Sequence, residues 1–477
     1  MLVDEVSEVT AMTIERLSPD DRLLLLSDKV WPQDVGAILI LDGSGVLDAD
    51  GRFPIDWARE AMAQRIDALP RLRQVLRVPR RGLGGPFWAD APAFDLSQHV
   101  RLGPPVPSGD EAGLLDAVEE IRSRRLDPAR PLWEMWVLPG LAGGRVGMFV
   151  RLHHVVADGV SGIASLAALL AGPGATGTRA ETRWTPADEP SPRELRRDSL
   201  RRRVDALRGV VTAGRHPRRA VRTVAQSWRA TRELVSGEPG PVTSLGGLVG
   251  PHRRLAFVRA PLDDVEAVAR ANRATVNDVL LAMICAGVRA LLTSRGEQVE
   301  HLTLPIFVPV SLRRGAGDAG LGNRISQMAV ELPVGIADPV ERLRRITAGT
   351  SRAKAFAHPS MGAVFRNRIL SGVMLRLIIR KRVNLLSADI VGPRQPLSFA
   401  GVPVLEVFPL LNLMGNITLG VGALSYAGGF QLLAEGDADH YPDLGVFAAA
   451  AEHEVRILAA AVPVRDGGRK QDSAVCR

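Results

Sequence analysis

The sequence predicts an α/β fold in two parts, and three observations carry that prediction. The chain has 477 residues, 46% hydrophobic and 23% charged. That exceeds a usual domain of about 100 to 200 residues and supplies a large core. Strand-like and helix-like patterns alternate on both sides of an arginine-studded run, and no short-period repeat points to a solenoid. In the first part, residues 36–41 (GAILIL) read as a strand and 55–68 and 112–124 as helices. Residues 146–154 (VGMFVRLHH) then read as a strand leading into a helix over 160–171. In the second part, 263–273 and 275–293 read as helices and 302–310 (LTLPIFVPV) as a strand. The division drawn from these patterns is 1–175, a linker 176–240, a second half 241–464 and a polar tail 465–477.

Within the linker, Leu200, Val204, Leu207 and Val211 keep a helical spacing among arginines, which predicts one or two basic amphipathic helices. Two readings stay open: a solvated helix over the seam between the parts, or a face that docks on anionic lipid. Residues 366–383 (RNRILSGVMLRLIIRKRV) also interleave basic and apolar side chains, as a second lipid-facing stretch or a buried helix with internally paired arginines.

The charge balance is 60 Lys+Arg against 52 Asp+Glu, a net of +8, and the only lysines are Lys29, Lys354, Lys381 and Lys470. Two Tyr and 12 Phe leave few stacking platforms, and the positive excess is concentrated in one segment, which argues against nucleic acid as a partner. Cys285 and Cys476 make neither a disulfide framework nor a thiolate metal site. The acidic start, MLVDEVSEVTAM, lacks the pattern of a secretory signal, and no stretch reaches about 18 uninterrupted apolar residues. The expected location is cytoplasmic, free or bound peripherally to a membrane or lipid-droplet surface.

The sharpest feature is His153-His154-Val155-Val156-Ala157-Asp158-Gly159, directly after a predicted strand and before a predicted helix. Successive strand residues point to opposite faces, so His153 and His154 do not share one site while the strand stays regular. With no third His or Cys ligand nearby, a metal site is not expected. One histidine reads as the active group and the other as structural. A neutral imidazole takes a proton near pH 7, and Asp158-Gly159 marks a sharp turn, so general base is the natural role. No Ser sits in a GxSxG elbow, and Cys285 lies in an apolar run, which favours direct attack by a substrate hydroxyl over a covalent intermediate.

HHVVADG, preceded by PLWEMWVLPGL, resembles the bacterial wax ester synthase/acyl-CoA:diacylglycerol acyltransferases of the CoA-dependent acyltransferase superfamily. Further matching pieces are LSPDD, PRLRQVL, FDLSQHV, LDPARPLWE, Asn277-Asp278, PVSLR, LGNR, DPVERL and SYAGG, in order along most of the chain. The resemblance implies two chloramphenicol-acetyltransferase-like α/β halves with an active-site tunnel between them. It also implies that His154 is the base and that Asp158, with Gly159, fixes the turn, with Arg324 as the candidate partner of Asp158. Acyl-CoA enters as cosubstrate, and no cofactor is expected. Asn277 and Asp278 match the family's Asn-Asp pair. On physical grounds Thr275 to Asp278 is a capping box, while Asn277 sits in a first helical turn where the dipole favours negative charge, giving it an oxyanion-side role.

Two departures stand out. Gln33-Asp34 replaces a usual Met-His pair, and Ala388-Asp389-Ile390-Val391-Gly392-Pro393 replaces SNVPGP. The expected function is acyl transfer from a fatty acyl-CoA to diacylglycerol or a long-chain alcohol, giving triacylglycerol or wax ester. The alternatives are an acyltransferase of the same fold with another donor or acceptor, such as a carrier-protein-bound acyl group, and a catalytically weak lipid-binding protein. His153 with Asp158 also fits the H-x-x-x-x-D spacing of glycerophosphate-type acyltransferases.

Overall fold

The computed structural model describes residues 14–156, 184–215, 240–311, 325–356 and 383–462. The first half opens with α1 (Pro19–Ser27), β1 (Asp34–Asp42), α2 (Ile55–Ala63), β2 (Gln74–Arg77) and β3 (Phe87–Asp90). It continues through β4 (Val100–Leu102), α3 (Glu111–Ser123), β5 (Trp133–Leu141) and β6 (Arg145–His153). A basic helix, α4 (Pro192–Arg215), follows. The second half holds β7 (Arg253–Pro261), α5 (Leu262–Ala271), α6 (Val276–Ser294), β8 (Leu304–Ser311), β9 (Ile325–Leu332) and α7 (Pro339–Phe356). It ends with β10 (Leu385–Val391), β11 (Ser398–Phe399), β12 (Val402–Leu410), β13 (Leu419–Tyr426), β14 (Gly429–Asp437) and α8 (Leu444–Ala460).

Two six-stranded sheets organise these elements, in the orders β11-β12-β1-β6-β5-β4 and β7-β14-β13-β10-β8-β9. β11 and β12 lie late in the chain yet complete the first sheet, with Gly36 opposite Leu410 and Ile38 opposite Phe408. This amends the boundary read from the sequence: the segment 241–464 contributes to both sheets, so the halves are not independent stretches of chain. Local hydrophobic patterning could not show it, because it marks a strand without naming the sheet that strand joins.

Helix ends follow local capping chemistry. Ser18 accepts from the Asp21 N–H ahead of α1, and Asp110 from the Gly113 N–H ahead of α3, whose Leu114, Val118 and Ile121 form the buried stripe. The helix read over 55–68 ends at Ala63, because the Arg65 N–H bonds the Met62 carbonyl three residues back and the chain tightens into a 3₁₀ turn at Ile66–Ala68. Likewise α5 stops at Ala271, where Arg273 takes a left-handed φ of 52°. Helix α6 is long and apolar enough to cross a membrane by composition alone, yet it is mostly buried, packed on α8, α7 and α5 in the second half's core. The expected helix 160–171, residues 366–382 and the 463–477 tail lie outside the described residues.

Both sheets meet across a mixed seam. Phe257 of β7 stacks on Phe408 of β12 at 3.9 Å between ring centroids, in a cluster with Ile38, Phe149 and Leu433. Arg122 of α3 reaches Glu435 of β14 at 2.7 Å, with both side chains buried. Arg259 pairs with Glu111 of α3 and Glu406 of β12. Among the described residues, the linker helix α4 packs away from this seam; its Leu195 is buried with Ile14, Val75, Phe87 and Ala89, beside the small β2–β3 sheet.

Candidate active site

Strand β6 is central, paired with β1 on one side and β5 on the other, and all its residues after Arg145 are buried. Val146, Met148, Val150 and Leu152 enter one apolar cluster and Phe149 another, so Arg151 and His153 share the face of Phe149. Gly36 on β1 is required for this pairing, since a Cβ there would run into the Val150 carbonyl.

His153 closes the strand opposite Asp34, and the chain turns immediately. Its N–H bonds Leu132 O at 2.9 Å, its carbonyl accepts from the Val156 N–H, and its Nδ1 accepts from the Val155 N–H at 3.1 Å. An accepting Nδ1 places the proton of the neutral ring on Nε2, which lies 3.5 Å from Asp28 Oδ1. Asp28, just past α1, also accepts from the Gln33 N–H at 3.0 Å and from Arg125 at 3.2 Å. Burial alone would raise the Asp28 pKa; the His153 ring, the Gln33 N–H and Arg125 outweigh it and hold the carboxyl below its usual range. His153 is therefore a buried, positioned ring. His154 begins the turn half-buried, and its N–H bonds Gln33 O at 2.8 Å.

Beneath the pair, Arg151 is 2% exposed and binds Glu134 through Nε at 3.1 Å and a terminal nitrogen at 2.8 Å. It also reaches Asp34 Oδ2 at 3.2 Å and the Arg124 carbonyl at 2.7 Å. Burial outweighs Arg151 and Arg122 at Asp34 and raises its pKa. Gln33 and Asp34, the first departure from the family pattern, are thus both fully engaged: Gln33 Oε1 accepts from Asn412 at 2.8 Å, which ties the histidine turn to the segment after β12.

Asp158, Gly159 and Arg324 lie outside the described residues. Asp278 does what its capping box predicts: its N–H bonds Thr275 Oγ1 at 3.2 Å and its Oδ2 accepts from the Thr275 N–H at 2.8 Å. Thr350 of α7 donates to the other oxygen at 2.7 Å. Asn277, next to it, is half-buried. The far end of α6 is anchored where Arg295 binds Asp443 and the His440 carbonyl. That end adjoins the start of β13, where Thr418 bonds Leu245 O and Tyr441, and the start of β13 lies beside Leu411 and Leu413, on the histidine side. A 19-residue helix spans about 28 Å, so the first turn of α6 lies at the opposite end of this layer. The described contacts do not bring Asn277 or Asp278 to His153.

The second departure sits on β10. Among the described residues no acid or base stands beside Asp389, and burial pushes its carboxyl up to about 6. Ser387, on the same face, has a fully buried hydroxyl without a hydrogen-bond partner among the described residues. Cys285 is buried in α6 with its thiol pushed up to about 12, which suits a core residue and not a nucleophile. Among the described residues, no group of three or more His, Cys, Asp or Glu is placed to hold a metal ion.

The fold defined by these two sheets is shared with solved acyl-transferring and condensing enzymes. A wax ester synthase/diacylglycerol acyltransferase from Marinobacter aquaeolei superposes with a TM-score of 0.65 at 22% identity, over 93% of this chain and 100% of that one. The first condensation domain of the calcium-dependent antibiotic synthetase gives 0.60 at 18% identity, over 95% and 98%. The sequence narrows this further. Residues 17–280 match the wax ester synthase/diacylglycerol acyltransferase catalytic domain, and 321–459 match that family's C-terminal domain. A probable diacylglycerol O-acyltransferase of Mycobacterium tuberculosis is 32% identical over 84% of this chain and 87% of its own length, as is a related protein of Mycobacterium bovis. The chain belongs to the wax ester synthase/diacylglycerol acyltransferase family.

Proposed function

We propose that the protein transfers a fatty acyl group from acyl-CoA to the hydroxyl of diacylglycerol or a long-chain alcohol, with His154 as the general base. One observation carries the assignment of roles: His153 is buried and held by the Val155 N–H and Asp28, while His154 is half-buried where the turn that ends the central strand begins. His154 removes the hydroxyl proton as oxygen attacks the thioester carbonyl. The carbon–sulfur bond then breaks, and the proton passes to the departing sulfur. A free alcohol is a far weaker acid than imidazolium, so proton removal accompanies attack; a positioned base contributes roughly 10² to 10⁴ in rate. Asp158 and Gly159 keep the turn-forming task that the motif gives them, with Arg324 as the partner of Asp158. For Asn277 a role on the oxyanion side remains a proposal that the placement of α6 does not support.

Such acceptors reside in lipid, so the same reading has the protein working peripherally at a membrane or droplet surface on the cytoplasmic side. The test is purified protein with palmitoyl-CoA and a panel of diolein, hexadecanol and buffer alone, following thiol release and separating the lipids. Ester formed in step with thiol supports the proposal. Thiol release without ester, or no release with any acceptor, overturns it.

A further inference from the structure

Helix α4 leaves its apolar row in water. Leu200 is 63% exposed, Val204 37% and Leu207 65%, while Leu195 on another face is buried against the β2–β3 region. Beside that row, Ser199, Arg202, Arg203 and Ala206 share the adjoining helix face and line a cavity of about 210 Å³ with Arg16, Arg22, Gly84 and Gly85.

The charges in this cavity do not balance. Asp198 pairs with Arg16 at 2.7 Å and Arg202 at 3.0 Å, and these two arginines also bind the carbonyls of Leu83, Leu195 and Ile14. Arg22 and Arg203 have no carboxylate partner among the described residues. Burial, together with repulsion from Arg16 and Arg202, lowers the Arg22 pKa, the signature of a cation among cations. Gly85 lets the Arg22 guanidinium lie directly against the loop, since a Cβ there would overlap it. On the other flank of the apolar row stand the exposed Arg197, Arg201 and Arg208.

We propose that α4 is the surface by which the protein docks on anionic phospholipid, with a headgroup phosphate seated between Arg22 and Arg203. The row Leu200, Val204 and Leu207 enters the interface, and arginines border it on both sides. That is the geometry of a helix lying in a membrane surface, where apolar burial and attraction to anionic lipid add. A cavity of this size holds a phosphate group and not a whole coenzyme. This deepens the proposed lipid-surface function and is separable from its chemistry.

The test uses the full chain and flotation on vesicles of phosphatidylcholine with or without phosphatidylglycerol. The expected result is binding to the anionic vesicles that weakens with added salt, since charge attraction is screened beyond about 8 Å at physiological ionic strength. Arg22→Glu with Arg203→Glu lowers that partition by about tenfold or more. Leu200→Ser with Leu207→Ser lowers it too, and reversal at Arg52, exposed elsewhere, does not. Thiol release with a detergent-dispersed acceptor stays unchanged in the arginine variant, which separates docking from catalysis. Equal flotation on both vesicle types overturns the proposal. So does an arginine variant with unchanged flotation and a raised KM for palmitoyl-CoA, which would assign the pocket to the phosphates of the coenzyme.

Discussion

His153 and Asp28 act as one unit. Nδ1 of the ring is committed to the Val155 N–H, and the carboxylate of Asp28 faces Nε2 while also holding Gln33 and Arg125. Because the Asp28 pKa is depressed by folding, its contribution is present above the ordinary carboxylate range and is lost as pH falls through the lowered value. Asp28→Asn is expected to cost about 1 to 2 kcal/mol at neutral pH, less than a fully buried charged bond because the side chain is 30% exposed. The deficit shrinks on acidification, and urea midpoints at several pH values measure it. A deficit constant with pH would contradict the ionic role. The adjacent histidines were legible from the sequence as a motif with two unequal members. Asp28, Arg151 and Asn412 were not, because their partners are distant: Arg151 meets Asp34 across 117 positions and Asn412 meets Gln33 across 379.

Strand β10 carries the loop that departs from the family pattern, and the departure has a thermodynamic consequence. Asp389 is raised from an ordinary carboxylate value to about 6, so the folded protein binds a proton there that the unfolded chain has released. Stability is therefore lost as pH rises between about 4 and 6 and stays lost above it. Asp389→Asn removes the titration and is expected to stabilise by about 1 to 3 kcal/mol at pH 7, with no gain near pH 4. Melting temperatures across that range check it; equal gains at both ends would contradict it. At this scale the sequence read most of the elements it named to within a residue or two, because β6 is an unbroken buried run and α6 a long apolar helix with a complete capping box. It overran α2, where the switch to a 3₁₀ turn depends on tertiary packing of Ile66 and not on propensity.

Across the whole molecule, the strands that late chain lends to the first sheet make the halves interdependent. The Arg122–Glu435 pair adds to this, since a buried ion loses its compensation when its partner is removed. Arg122→Met is expected to cost about 3 to 5 kcal/mol, and adding Glu435→Leu to restore part of it, because Glu435 also faces the buried Arg253 at 3.4 Å, which then keeps only Asp437. Urea unfolding of the single and double variants decides; a double variant as unstable as the single would contradict this view of the seam. A two-part α/β fold was visible from length and alternation, but the exchange of β11 and β12 was not, since register across sheets is set by packing that no local window contains.

The central claim is the division of labour between His153 and His154, and acyl transfer by the two alanine variants tests it most directly. Thiol release and ester formation are measured with palmitoyl-CoA and diolein, alongside melting curves. His154→Ala is expected to lose about 10² to 10⁴ in turnover while melting like the parent. His153→Ala is expected to melt lower, through the lost Val155 and Asp28 contacts, and to keep more activity. A folded His154→Ala protein with near-parental turnover, or the reverse ranking with both variants folded, would contradict the account.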